Sequence, residues 1–172
     1  MESQRMHPLV QLAKDTVEMY VRERKVPKPT EVTPEMKEQA GVFVSIKKHG
    51  ELRGCIGTFE PTKPDVAREL INNAVSSATS DPRFPAVTND ELASLTYTVD
   101  LLSKPEPIDS ADQLDPQRYG LVVESGRRRG LLLPDLPGVT TVDKQIEICR
   151  MKAGIMPDEP IEMYRFEVRR FR

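Results

Sequence analysis

An α+β fold is predicted by three features of the chain. Apolar residues recur at helical spacing in several separate stretches, two further stretches alternate apolar and polar residues about short polar turns, and no strand-helix-strand rhythm repeats. At 172 residues the chain is long enough for one domain, or for two small lobes sharing a core, without disulfide staples.

Pro8 to Lys25 places Leu9, Ala13, Val17 and Tyr20/Val21 on one helical face. Proline suits the first turn, and Arg22, Arg24 and Lys25 suit the C-terminal end of the dipole. Val26 to Pro34 is expected to be an extended connector, because each proline pushes the preceding residue out of helical space. Val42, Val44 and Ile46 alternate with Phe43, Ser45 and Lys47, Lys48-His-Gly-Glu51 supplies turn chemistry, and Leu52 to Gly57 alternates again as a β-hairpin. Thr62 and Asp65, with Pro64 between them, read as a capping box for a helix of about four turns bearing Val66, Leu70, Ala74 and Ala78.

Ser80-Asp-Pro-Arg-Phe-Pro85 predicts a rigid loop, since its prolines remove ladder donors. Thr88 and Glu91 repeat the capping box ahead of a short helix. Leu95, Tyr97, Val99 and Leu101 then form a half-buried strand, which Lys104-Pro-Glu-Pro107 ends. Leu121-Val-Val123 and Leu131-Leu-Leu133 flank Glu124 to Gly130 as a second hairpin with a basic tip. Thr140 and Asp143 cap a helix with Val142, Ile146, Cys149 and Ala153 inside and Gly154 at its C-cap, and Ile161 to Val168 is the last strand. No internal repeat is visible.

Composition narrows the function classes. The balance of 25 Lys+Arg against 27 Asp+Glu and a pI of about 5.8 speak against a dedicated nucleic-acid binder, whose domain is usually basic. Two cysteines make no disulfide framework and Met1 to His7 is too polar for a leader, so a reducing, cytoplasmic location is expected. No apolar run approaches the roughly 18 residues of a membrane span. Proline, at 15 residues, is well above the usual ~5% and predicts rigid loops between short elements.

The candidate chemistry centres on Leu52-Arg-Gly-Cys-Ile-Gly57. Strict alternation puts Leu52, Gly54 and Ile56 on one face and Arg53, Cys55 and Gly57 on the other, so Cys55 shares its face with a cation that would favour thiolate. Gly54 and Gly57 would let a ligand, or another backbone, come close. Cys55 reads equally as a small hydrophobe in a tight sheet, whereas Cys149, on its helix's apolar stripe, reads as a core thiol. The Asp81-Pro-Arg-Phe-Pro85 loop holds Arg83 and Phe84 in one geometry, either for a ligand or with Phe84 plugging the core while Asp81 and Arg83 cap neighbouring backbone. His7 and His49 stand at no metal-ligand spacing, so no metal and no cofactor is predicted. His49 belongs to a turn, too far along the hairpin to serve Cys55 as a base. Arg127, Arg128 and Arg129, with Arg169, Arg170 and Arg172, are either solvated charge or a phosphate-binding surface.

Gly41-Val-Phe-Val, Leu52-Arg-Gly-Cys-Ile-Gly57, Asp81-Pro-Arg-Phe-Pro85, Gly130-Leu-Leu-Leu-Pro134 and Lys152-Ala-Gly-Ile155, in this order, closely resemble the AMMECR family, whose bacterial members are called the A component of the AmmeMemoRadiSam system. The resemblance spans nearly the whole chain. It implies a single AMMECR-type domain of two unequal lobes, a larger one with a mainly antiparallel sheet, packed helices and both termini, and a smaller α/β one from the middle of the chain. It places the Arg-Gly-Cys-Ile-Gly segment near a cleft between them. It also implies a radical-SAM enzyme and a Memo-type protein as partners. The segment Asp135 to Asp143 lacks the tryptophan-containing stretch of eukaryotic members and matches the shorter bacterial type.

Three functions follow as expectations. The first is an enzyme or enzyme component acting on a small anionic substrate, with Cys55 as thiolate nucleophile or covalent carrier, Arg53 as its pKa-lowering partner and Arg83 as a second clamp, Gly54, Gly57 and Phe84 lining the site. The second is a non-catalytic module that docks on partners or presents a substrate to them. The third, RNA binding through the arginine runs, requires a salt-dependent affinity.

Overall fold

The computed structural model describes residues 5–172. In chain order the elements are α1 (Pro8–Glu23), β1 (Gly41–Lys48), β2 (Glu51–Thr58), α2 (Val66–Thr79), β3 (Leu95–Leu102), β4 (Glu106–Ile108), β5 (Gly120–Ser125), β6 (Arg128–Leu132), α3 (Val142–Ala153), β7 (Glu162–Phe166) and β8 (Val168–Phe171). Short 3-10 helices cover Pro34–Lys37, Asn89–Ser94 and Ala111–Gln113. Two compact units result, one running through Leu101 and taking up Arg169–Arg172, the other comprising Leu102–Val168. Among the described residues no helix is long and apolar enough to cross a membrane.

The first unit contains a sheet of order β2-β1-β3-β8. Its core takes the predicted stripes: Leu9, Ala13 and Val17 of α1, Leu70 and Ala74 of α2, and Val42, Val44 and Ile46 of β1 are fully buried. His49 (φ 52°) and Gly50 (φ 80°) both adopt the left-handed region, which makes the tight two-residue turn that joins twisted strands. Pairing runs antiparallel from Val42↔Thr58 to Ile46↔Gly54, then shifts to Lys47↔Leu52, leaving Arg53 as the extra residue of a bulge. The strict alternation expected through Arg53 is therefore broken.

Helix α2 sits unusually close to the hairpin. A methyl group on Gly54 would overlap the Ser77 carbonyl oxygen, so only glycine admits the helix at this distance. Ser77 Oγ accepts from the Ile56 N–H at 2.9 Å and donates to the Val44 carbonyl at 2.7 Å. One turn earlier, Asn73 Nδ2 donates to the Val42 carbonyl at 2.8 Å and to Thr58 Oγ1 at 3.1 Å. The helix thus bonds directly to both strands.

The second unit repeats this arrangement. Its sheet has the order β4-β7-β5-β6, with antiparallel pairs β4/β7, β7/β5 and β5/β6. In each unit a hairpin is followed by a helix and then by a strand that lies beside the hairpin's first strand, giving β2-β1-β3 and β6-β5-β7. Gly130 faces the Cys149 carbonyl of α3 as Gly54 faces that of Ser77. No repeat was legible in the residues because the shared features are an order of elements and one close backbone approach, which different side chains satisfy.

Several boundaries differ from expectation. The box before α2 is not Thr62 with Asp65: Asp65 is itself the N-cap, accepting from the Arg68 N–H, and Thr62 pairs with the fully buried Glu69. The cap of α3 is Thr141 rather than Thr140, accepting from the Lys144 N–H at 3.1 Å. Gly154 (φ 69°) does end that helix. The last strand is two, β7 in the second sheet and β8 in the first, broken at Glu167. The second hairpin turns at Gly126-Arg127, so Arg128 and Arg129 lie in β6 rather than at a tip.

Gly54→Ala is expected to lower unfolding free energy by about 3 kcal/mol in urea titrations, the upper range for forcing atoms into a packed site. A loss below about 1 kcal/mol would show that α2 can withdraw without cost.

Candidate functional site

The loop after α2 returns across strand β2 and takes both backbone groups of Cys55. The Asp81 carboxylate, 2% exposed, accepts from the Cys55 N–H at 3.0 Å. Arg83 Nη2 donates to the Cys55 carbonyl at 3.3 Å. Arg83 is held in turn by Asp81, through Nε at 3.0 Å, Nη2 at 2.8 Å and its own backbone N–H at 3.0 Å. The two side chains therefore cap neighbouring backbone, one of the two roles open from the sequence. Phe84 does not plug the core: it is half-buried with the Arg83 guanidinium 5.5 Å from its ring centre, and Val87 fills the core instead.

Arg53 is equally occupied. Its Nε and Nη2 grip both oxygens of Glu91 at 3.0 and 3.1 Å, and its Nη1 donates to the Pro85 carbonyl at 2.8 Å. Glu91 also accepts from Lys48 Nζ at 3.1 Å and, completing the predicted capping box, from the Thr88 N–H at 2.8 Å. Charge-assisted pairs of this kind are strong when water is excluded, and Arg53 and Glu91 are only 11% and 13% exposed.

The expected role of Arg53 as the partner of Cys55 is therefore corrected. Its guanidinium is closed on Glu91, and the cation whose charge acts on the thiol is Arg83. Cys55 is half-buried, with Sγ 3.2 Å from Ser45 Oγ. Burial pushes its thiol up, further assisted by Asp100 and Asp81, while Ser45 and Arg83 pull the other way without prevailing. Burial thus disfavours the thiolate. Gly54 and Gly57 leave no ligand space on the sides where a side chain would stand: α2 fills one and the Phe43 ring the other.

Sequence reasoning missed several polar groups of the first unit. Asp100, 3% exposed, accepts from Arg170 Nε at 2.8 Å and Nη2 at 3.0 Å. Its place among the polar residues of an alternating strand held no signal of burial. Ser77 and Asn73 stand four residues apart on α2, a spacing that could have marked them as one helix face. Cys149 is a core thiol as expected, fully buried, with its pKa pushed up to about 12 by burial. Among the described residues no group of three or more His, Cys, Asp or Glu is placed to hold a metal ion. The arginine runs are largely paired internally: Arg128 with Glu159, Arg129 with Glu124, Arg169 with Glu38 and Arg170 with Asp100.

Two hairpin-helix-strand units on antiparallel sheets, the first closed by an Asp-Pro-Arg-Phe-Pro loop on an Arg-Gly-Cys-Ile-Gly strand, make this an α+β protein. The AMMECR1 family model matches residues 10–171, and the chain belongs to that family. A protein of Thermotoga maritima is 51% identical over 170 residues, covering 96% of this chain and 98% of its own. A Clostridium acetobutylicum protein is 42% identical over 172 residues, covering 98% of this chain but 36% of that longer one. The crystal structure of an uncharacterised Pyrococcus horikoshii protein superposes with a TM-score of 0.87 at 34% identity, covering 94% of this chain and 88% of the other.

Two measurements test the site. Alkylation of Cys55, followed in a Cys149→Ala background, is expected to rise with a midpoint above the ordinary 9.0, and a midpoint near neutrality would restore a thiolate. Glu91, which Arg53 holds down at about 2 against an ordinary 4.5, contributes stability that is present above pH 4.5 and lost as pH falls toward 2. That loss is worth about 3 kcal/mol by linkage and should vanish from the acid limb of Glu91→Gln unfolding curves.

Proposed function

We propose that the chain is a non-catalytic component that docks on partner proteins or presents a substrate to them, the partners being the radical-SAM enzyme and Memo-type protein implied by the family resemblance. The observation that carries this reading is the closed pairing around Cys55 in the first unit. Arg53 is paired with Glu91 and Arg83 with Asp81, Asp81 and Arg83 bond the Cys55 backbone, and burial disfavours the Cys55 thiolate, so the groups offered for chemistry are engaged in holding strand and loop together. The clostridial relative supports it, since there the matching segment is 36% of a longer chain, as in a module that works beside others.

One observation favours the alternative of a thiol-dependent enzyme component for a small anionic substrate. Arg83 is 55% exposed, and its charge does pull Cys55 toward thiolate. A single variant separates the two. Cys55→Ala is expected to complement a deletion strain fully and to co-elute with both partners as the parent does. Loss of complementation by a folded Cys55→Ala protein would return the function to the thiol.

A further inference from the structure

The chain leaving α1, from Arg24 to Val32, forms neither helix nor strand and runs over the first unit as a strap. Pro27 and Pro29 fix their own φ at about −65° and push Val26 and Lys28 into extended backbone. Pro29 is half-buried and shares a small pocket with Pro8, Leu12 and Met36, which holds the strap to the protein. Val26 and Val32 stand outward, 51% and 60% exposed, as do Arg24, Lys25 and Lys28. From Lys25 to Val32 no backbone N–H or carbonyl is engaged by another backbone group among the described residues.

Charge narrows what such a strap can meet. Arg22 to Thr30 holds four cations and one carboxylate, Glu23, in a chain whose acids outnumber its bases. Arg22 is tied to Glu18 and Asn89, and the Arg24 guanidinium lies 5.2 Å from the centre of the Tyr20 ring. The flanking acids are taken, Glu18 by Lys14 at 2.8 Å and Glu31 by Arg5 at 3.1 Å. Among the described residues no carboxylate lies within ion-pair distance of Lys25 or Lys28. Two unpaired ammonium groups thus flank Val26-Pro27 on an extended segment whose main-chain groups are open to a partner. That is the makeup of a segment bound as an extended peptide, in which prolines pack on aromatic rings and flanking cations meet carboxylates. Because proline has already ordered the backbone, docking costs less entropy. RNA suits the strap less, since it carries no aromatic side chain on which a base could stack.

We infer that Arg24 to Lys28 docks as an extended peptide in an acidic, aromatic-lined groove of a partner protein, with Lys25 and Lys28 meeting its carboxylates and Val26 and Pro27 its rings. The inference rests on the docking reading above and names the surface and the partner chemistry that it requires.

The test titrates the full chain in a calorimeter against the radical-SAM enzyme and the Memo-type protein in turn, at several salt concentrations. One of the two is expected to bind the parent chain, more weakly as salt rises, and Lys25→Glu/Lys28→Glu to weaken that binding at least about tenfold. Lys104→Glu/Arg127→Glu, an equal change of charge at exposed positions of the second unit, should leave it unchanged. Pro27→Gly/Pro29→Gly should weaken it about fivefold by loosening the strap. Thermal midpoints equal to the parent's keep loss of binding separate from loss of fold. Equal losses from the two charge-reversed pairs, indifference to the strap variants, a strap-dependent dimer in sedimentation, or tighter binding of a mixed-sequence RNA than of either protein would each overturn the assignment and leave the docking reading standing. Binding of neither protein by the parent chain would overturn both.

Discussion

The contact on which the first unit depends is the seating of α2 against the β1–β2 hairpin at Gly54. Without a side chain there, the Ser77 carbonyl comes within reach of the strand, and the Ser77 hydroxyl and Asn73 amide then bond both strands from the helix. A helix held this way fixes where its own C-terminal end lies, and with it the start of the loop that carries Asp81 and Arg83. The order of causes runs from a missing methyl group, to a close helix, to a loop whose carboxylate reaches the backbone of Cys55.

That order changes the meaning of the Arg-Gly-Cys-Ile-Gly segment. Read as residue types, it resembles a reactive thiol beside a cation with room for a ligand. In three dimensions the glycines accommodate protein, the bulge turns Arg53 into the grip on Glu91, and the thiol lies half-buried beside Ser45. Buried polar groups demand partners, and a segment rich in them reflects that demand as readily as it reflects chemistry. The same demand accounts for Glu69 with Thr62 and Asp100 with Arg170.

The elements were legible wherever a period or a cap expressed local physics. Helix α1 with its leading proline, the His49-Gly50 turn, strand β3, the Thr88–Glu91 box and the Gly154 cap all follow from interactions within a few residues. What was not legible depends on residues distant in sequence. Strand β4, short and containing Pro107, exists because β7 pairs with it, and the break at Glu167 exists because the chain leaves one sheet for another. Thr62 found Glu69 rather than the predicted Asp65 because a fully buried carboxylate outcompetes a partly exposed one for a donor. For the site, Arg83 and Asp81 were legible as backbone caps, while Glu91 as the anchor of Arg53 was not, being 38 residues away.

Strand β2 is the outermost strand of its sheet, and such a strand ordinarily offers a row of unsatisfied amides and carbonyls to any extended chain that passes. At Cys55 that offer is withdrawn, because a carboxylate and a guanidinium from the same molecule already sit where a foreign strand would bond. The Asp81–Arg83 pair thereby closes that position of the edge from within the same molecule, so that the loop after α2 takes the place of a neighbouring strand at Cys55.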